Sequence, residues 1–277
     1  MMPHRGMQAL GGAGPEETMN IIIPSSGRAF KQTTLNTLPT SLTDRVRVVV
    51  PDTEAELYSA QMRCRAEVVP CPRRGIGLTR QWILENYGPK VVMLDDDLVF
   101  ATRREDEPDK FVESSDAEVE RMFEDIENLL NRYVHVGVGT REGGNYLIEQ
   151  YPQNMRMLRI LAYRADKLKE LGVRFDEMDV MEDFDVTLTL LRKGYPNKLV
   201  NWIVHNQNGS GLSGGCSQYR TMDVQAVSAH RLKARHDRFV TVVEKETKGA
   251  WGGGVRTDVK IYWKRAISSA GVVHILD

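Results

Sequence analysis

Over the first hundred positions, short apolar runs alternate with stretches of about ten residues that carry helical spacing. NIIIP (20–24), VRVVVP (46–51), EVVP (67–70) and VVML (91–94) read as strands, and 31–38, 54–64 and 78–87 as the helices between them. This alternation predicts βαβ units and a mostly parallel sheet. In such sheets ligands collect at the carboxyl ends of the strands. Further along, 116–132 places Val119, Met122, Phe123, Ile126 and Leu130 on one helical stripe, and 133–138 is another strand, leading into the glycine-rich GTREGGN. Residues 182–193 read as a helix with Phe184, Leu188 and Leu191 at helical spacing, stopped by Gly194 and Pro196. Residues 255–263 alternate as a half-buried strand. No internal repeat appears.

The 277 residues fit one large domain or a core with appendages. The predicted division is a flexible Gly-rich tail over 1–18, a core over 19–207 and a basic extension over 208–277 that packs on it. There is no apolar run long enough to span a bilayer and no secretory leader pattern at the N-terminus, so a cytoplasmic protein without a membrane partner is expected. Three cysteines (Cys64, Cys71, Cys216) are too few and too scattered for a disulfide framework or a zinc cluster.

The net charge of −1 hides an asymmetry. Residues 188–277 hold 14 Lys/Arg against 6 Asp/Glu, a net of +8, whereas the preceding residues sum to −9. Eleven carboxylates fall within 105–127, a segment that reads as a solvated insertion. A positive C-terminal third attracts a polyanion; equally, it describes a surface of mixed sign.

Five segments carry candidate chemistry. In VVMLDDDLVF a strand runs into Asp95, Asp96 and Asp97. On extended backbone the first and third carboxylates point the same way and suit Mg²⁺ or Mn²⁺, with phosphates completing the shell. In MEDFDVTLTLLRKG, Glu182, Asp183 and Asp185 sit where a helix begins, serving either as caps or as a general base for an acceptor hydroxyl. IIIPSSGR ends a strand on Pro24, Ser25, Ser26 and Arg28, groups able to hold a nucleotide, although it has neither the Walker nor the dinucleotide spacing. RRGIGLTRQW brings Arg80 to a helix start, and VNWIVHNQ delivers His205 at a strand end as a nitrogen ligand for the metal.

Taken in chain order, the first-strand IIIPSSGR, LDDDL, MEDFDVTLTLLRKG and His205 resemble the pattern of the GT-A (Rossmann-related) glycosyltransferases, and GIGLTRQWILENYGPKVVMLDDDL looks like the approach to the metal motif in their family-2-type members. LDDDLVF, MEDFDVTLTLLRKGYPN, the GGCSQYRT loop and DVKIYWKRA together resemble the TET-associated glycosyltransferases encoded by phages. The resemblance implies an α/β, GT-A-like core with a basic extension. It also implies an inverting, metal-dependent transfer from a nucleotide sugar, UDP-sugar first, to the hydroxymethyl group of 5-hydroxymethylcytosine in DNA, in the host cytoplasm. On that reading Asp97, Asp95 and His205 hold Mn²⁺ or Mg²⁺, and Asp95 and Asp96 join Pro24, Ser25, Ser26, Arg28 and Arg80 on the donor. Asp183 is the base, helped by Glu182 and Asp185. The acceptor side draws on Arg141, Tyr219, Arg220, Trp251 and Lys264, with Tyr262 and Trp263 as further aromatics. Three alternatives remain: a cell-envelope or capsule glycan as acceptor, a sugar nucleotidyltransferase, and a non-catalytic nucleic-acid-binding module. PSSGR lacks the lysine and glycines a nucleotidyltransferase needs, and a mere binding module leaves both acidic motifs without a role.

Overall fold

The computed structural model describes residues 18–62, 65–207, 219–247 and 254–276. All but Thr18 of the predicted tail lies outside this set, as do Trp251, Cys216 and most of the GGCSQYRT loop. The chain forms β1 (Asn20–Pro24), α1 (Thr33–Thr37), β2 (Val46–Pro51), α2 (Ala55–Met62), β3 (Glu67–Cys71), α3 (Ile76–Asn86) and β4 (Lys90–Leu94). There follow β5 (Leu98–Arg103), β6 (Phe111–Glu113), α4 (Asp116–Leu129), β7 (His135–Thr140), β8 (Ile160–Arg164), α5 (Ala165–Glu170), α6 (Glu182–Arg192) and β9 (Asn197–Gln207). The C-terminal part adds α7 (Met222–Arg235), β10 (Val240–Thr247), β11 (Gly254–Ile261) and α8 (Trp263–Ser268).

Nine strands make one sheet in the order β3-β2-β1-β4-β8-β7-β9-β5-β6. The β3-β2-β1-β4 half is parallel, as the alternating pattern predicts. The other half is mixed, with β7 and β9 parallel and β8, β5 and β6 antiparallel to their neighbours. Alternate residues of the parallel strands face opposite helical layers. Ile21, Ile23, Val48 and Val92 pack with Leu35, Tyr58, Met122 and Phe123, and Ile22, Val49, Val91 and Met93 pack with Ile83, Leu168, Val186 and Leu190. α6 is buried on both sides: Leu188 and Leu191 meet Ala229, Leu232, Val240, Val259, Ala266 and Ile267 of the C-terminal elements. The last predicted strand ends at Ile261, and Trp263 instead opens α8.

β5 follows β4 after three residues yet pairs with β9, because β9 bends. Its register against β7 jumps between Val138/Val200 and Gly139/Val204. Asn201 fills the bulge, donating from Nδ2 to the carbonyls of Leu147 and Glu149 at 2.9 and 2.7 Å. A Cβ on Gly139 would lie 2.1 Å from the Asn201 amide oxygen, so the bend needs glycine there. Past the bend, β9 carries Gln207 to the start of β5. The ends of β1 and β4, the start of β8 and the ends of β7 and β9 thus share one edge of the sheet.

Candidate active site

At that edge Asp95, Asp96 and Asp97 form a tight turn between β4 and β5 rather than continued strand. Thr34 of α1 braces it: its hydroxyl donates to the Asp95 carbonyl (2.5 Å) and accepts from the Leu98 N–H (2.8 Å), and its own N–H reaches the Asp96 carbonyl (3.1 Å). The alternation expected of extended backbone is lost in the turn, so Asp96 and Asp97 converge instead. Arg28 Nη1 donates to Asp96 Oδ1 at 2.5 Å and to Asp97 Oδ2 at 3.0 Å. Burial alone would lower the Arg28 pKa, but the two carboxylates hold it above its ordinary value.

Asp96 is buried and occupied within the protein. Ser25 donates to its Oδ2, and Ser25 accepts from Gln32 Nε2 at 2.9 Å and shares a 2.8 Å hydrogen bond with the Tyr58 hydroxyl. Burial pushes the Asp96 carboxyl up from its usual range, against the pull of Ser25 and Arg28. Glu54 binds Ser26 Oγ at 3.1 Å and the Gly27 N–H at 2.7 Å. The predicted nucleotide-holding groups Ser25, Ser26 and Asp96 thus have partners within the protein around the turn after β1, with buried Pro24 at its base: Ser25 and Asp96 bind each other, and Ser26 binds Glu54. Glu54 and Tyr58 went unnoticed in the sequence. The position of Glu54 just past the end of β2 was the available signal.

A second guanidinium spans the edge. Arg80, 5% exposed, donates from Nη2 to Asp95 Oδ1 at 3.1 Å and from Nη1 to Glu182 Oε1. Gly75 opens α3 at φ 87°, and a Cβ on Gly77 would strike the Met178 and Phe175 carbonyls at 2.6 and 2.8 Å. Only glycine lets α3 approach the segment before α6 so closely, and that approach brings Arg80 to Glu182. Burial pushes the Asp95 carboxyl up to about 6; Arg80 opposes this, and Asp97 and Asp96 add to it. Its side chain still leaves 31% of its surface open, so it faces both protein and solvent. Glu182 is pushed up to about 7 by burial and by Asp183, against Arg80 and Arg220.

The three acids of α6 separate. Glu182 is held by Arg80. Asp185 points away from the edge, where Arg235 Nε and Nη2 (2.7 and 3.1 Å) and His236 Nε2 (2.8 Å) bind it. Asp185 is therefore a clamp between α6 and the end of α7, which corrects its assignment to the catalytic group. Asp183 is half-buried, accepts the neighbouring Phe184 N–H at 3.0 Å and makes no ion pair among the described residues.

His205 needs a second correction. Its ring is fully buried in β9 opposite Phe100, and burial, with Arg159, pushes it down to about 3 against hydrogen bonding to the Leu158 and Val138 backbone. Gln207, one pleat repeat further along, is the β9 side chain that reaches the turn, with Nε2 3.0 Å from Asp97 Oδ1. Among the described residues no three His, Cys, Asp or Glu side chains are placed to hold a metal ion, so the predicted Asp95–Asp97–His205 set is not preassembled. The donor chemistry suits a cation bound through one carboxylate and substrate phosphates rather than an all-protein cage.

The expected acceptor residues are spread more widely. Arg141 is exposed beside the Phe111 ring (5.9 Å), and its N–H binds the His205 carbonyl. The Tyr219 hydroxyl accepts the Ile76 N–H at the start of α3 (2.9 Å), and Arg220 Nε binds Gln225 Oε1 (2.9 Å) on the side of Glu182. Lys264 is exposed on α8. Among the described residues the non-glycine positions with left-handed backbone are Asn154, Arg159 and Met181 (φ 56°, 62° and 65°). Two of them border this edge, where the Arg159 carbonyl accepts the Asp95 N–H at 2.9 Å and Met181 caps α6; Asn154 lies toward the other end of the sheet, its N–H on the carbonyl of Asn197 at the start of β9. Such backbone strain gathers at functional sites.

Solved structures that match include GalNAc-T7 with UDP, GalNAc and Mn²⁺ (10% identity, TM-score 0.45, 69% of this chain and 43% of that one) and the glycosyltransferase GlyE of Streptococcus pneumoniae (11%, 0.38, 80% and 50%). A third is the 4-diphosphocytidyl-2C-methyl-D-erythritol synthase of Anaerococcus prevotii (10%, 0.42, 66% and 86%). The chain spans less than half the length of GalNAc-T7. No curated protein matches it. The family description TET-Associated Glycosyltransferase matches residues 19–207, from just before β1 to the end of β9. The chain belongs to the TET-associated glycosyltransferase family.

Proposed function

We propose that this glycosyltransferase moves a sugar from a nucleotide sugar, UDP-linked first, to the hydroxymethyl group of 5-hydroxymethylcytosine in DNA, with inversion at the anomeric carbon. The observation that carries the reading is the division of labour at α6: among the described residues Glu182 and Asp185 are held in ion pairs, whereas Asp183, which interacts with Arg156 only at longer range, makes none. A carboxylate so placed takes the proton from the acceptor hydroxyl as the oxygen attacks C1. A direct displacement of that kind inverts the anomer. Asp95, part open to solvent, faces the donor, and Arg28 lies close enough to meet the diphosphate. A divalent cation on Asp97 and the donor phosphates would offset the charge that builds on the leaving nucleoside diphosphate. A DNA acceptor agrees with the net +8 of residues 188–277.

The test is incubation with hydroxymethylated or unmodified DNA and a panel of nucleotide sugars, followed by digestion to nucleosides for mass and anomer analysis. Sugar on hydroxymethylcytidine alone, inverted relative to the donor, is the expected product. Asp183→Asn should lower turnover by about 10²–10⁴-fold with donor binding kept. A retained anomer, or near-normal turnover of the variant, overturns the base assignment.

A further inference from the structure

Outside the acidic edge, the chain presents a groove of about 270 Å³ lined by Asn154, Met155, Ile261, Tyr262, Trp263 and flanking Lys264 and Arg265. That is just below the ~300 Å³ at which pockets for drug-sized ligands begin, and it is a size for one ring system. The groove touches the α6 start: the Trp263 ring meets Phe184 edge-on at 5.7 Å, and Arg156 lies over Phe184 at 4.6 Å. Phe184 is the residue next to Asp183. One wall is fixed, because Asn197 binds Met155 at both its N–H (3.0 Å) and its carbonyl (2.8 Å). Behind this wall the buried Asn154 amide oxygen has no hydrogen-bond partner among the described residues. Cations gather at the other wall, with Arg265 and Lys260 at 5.2 and 5.5 Å from the Tyr262 ring centre.

We infer that this groove binds one unstacked pyrimidine nucleotide of the DNA acceptor, its base against Trp263 and Tyr262 and its flanking phosphates on Lys264, Arg265 and Arg156. Apolar rings at the centre with cations at the rim match a base between two phosphates. A neutral glycan would use the rings and leave the cations idle. The site holds a base taken out of the duplex, in reach of the α6 carboxylate. The assignment rests on the DNA reading of the acceptor and is tested apart from sugar transfer.

The probe is a single-stranded oligonucleotide carrying 5-iodouracil, cross-linked to the full chain by light and mapped by peptide mass. The expected adduct lies within residues 261–265. Trp263→Ala should weaken binding by roughly 5- to 150-fold, with Trp263→Phe restoring most of it. Because Trp263 packs on Phe184, the exposed pair Lys264→Glu and Arg265→Glu gives a readout that leaves the core alone. It should lower the slope of log affinity against log salt by about 1.4. Adducts on α7 or on the β7 side, or variants that bind like the wild type, overturn the groove even if sugar transfer to DNA is found. Adducts in the groove without sugar transfer support the groove and sink the acceptor reading. Absence of binding sinks both.

Discussion

Arg28 Nη1 sits 3.0 Å from Asp97 Oδ2, so the carboxylate expected to hold a divalent cation already has a guanidinium against it. A divalent cation held by Asp97 would compete with this guanidinium for one carboxylate, and Arg28 would have to turn toward the donor phosphates to make room. Mn²⁺ without nucleotide should therefore bind weakly to the wild type. Arg28→Gln should bind it about tenfold or more tightly, while losing affinity for nucleoside diphosphate. Calorimetric titration of Mn²⁺ with and without UDP checks this, and equal Mn²⁺ affinity in the two proteins would sink it.

What the sequence disclosed divides at the β4–β5 turn. The four parallel strands were legible because each is an apolar run bounded by turn residues and followed by a helical period. The mixed half was legible only in part: 133–138 and VNWIVHNQ read as strands, but β5 and β8 offer no alternation that sets them apart, and their partners depend on the bend at Asn201 and Gly139. In the site, residue type showed where chemistry gathers but not which atoms remain available. Nothing local in EDFD tells that Asp185 meets Arg235 and His236, some fifty residues away in the chain. Likewise, the Asp95/Asp97 convergence assumed extended backbone at a point where the chain turns. Arg80 was placed near the nucleotide, and its bridge to Glu182 depends on a helix approach that only Gly77 permits.

Arg80 is the shared counter-charge of Asp95 and Glu182. Arg80→Met leaves two carboxylates at a low-dielectric edge and should cost about 3–5 kcal/mol in urea unfolding. Arg80→Lys should recover little, because one ammonium does not reproduce a planar fork that spans both acids. Adding Glu182→Gln to the methionine variant should return part of the loss. Additive effects in that double-mutant cycle would mean that the bridge has no energetic content.

Glu182 gives a pH signature. Its ordinary pKa of 4.5 is raised to about 7 in the fold, chiefly by burial. The folded chain thus holds this proton more tightly than the unfolded chain does. The resulting stabilisation is full below about pH 4.5 and is lost as pH rises through about 7. Glu182→Gln carries no such proton. The melting temperature of the wild type minus that of the variant should fall between pH 4.5 and 7 and level off above. A difference that is flat or rises over this interval would contradict the burial of an ionisable Glu182 at the bridge.

Asp185 separates a structural acid from a chemical one on the same helix turn. It is 2% exposed, with Arg235 and His236 on its two oxygens, and burial is outweighed by these partners so that its pKa lies below the usual carboxylate range. Its ordinary value is 3.8, so its stabilisation is present above that pH and is lost as pH falls through the lower folded value. Asp185→Ala leaves the buried His236 imidazole without its carboxylate and takes one of two acidic partners from the part-exposed Arg235, so it should lower stability by about 1–3 kcal/mol, with α7 loosened from α6. Asp185→Asn keeps an acceptor for one partner and should cost less. In both, the fraction that remains folded at low temperature should turn over at close to the wild-type rate, in contrast to the collapse expected of Asp183→Asn. Turnover per folded molecule, from activity and circular dichroism on the same sample, decides the matter: a hundredfold loss in folded Asp185→Asn would return Asp185 to the reaction.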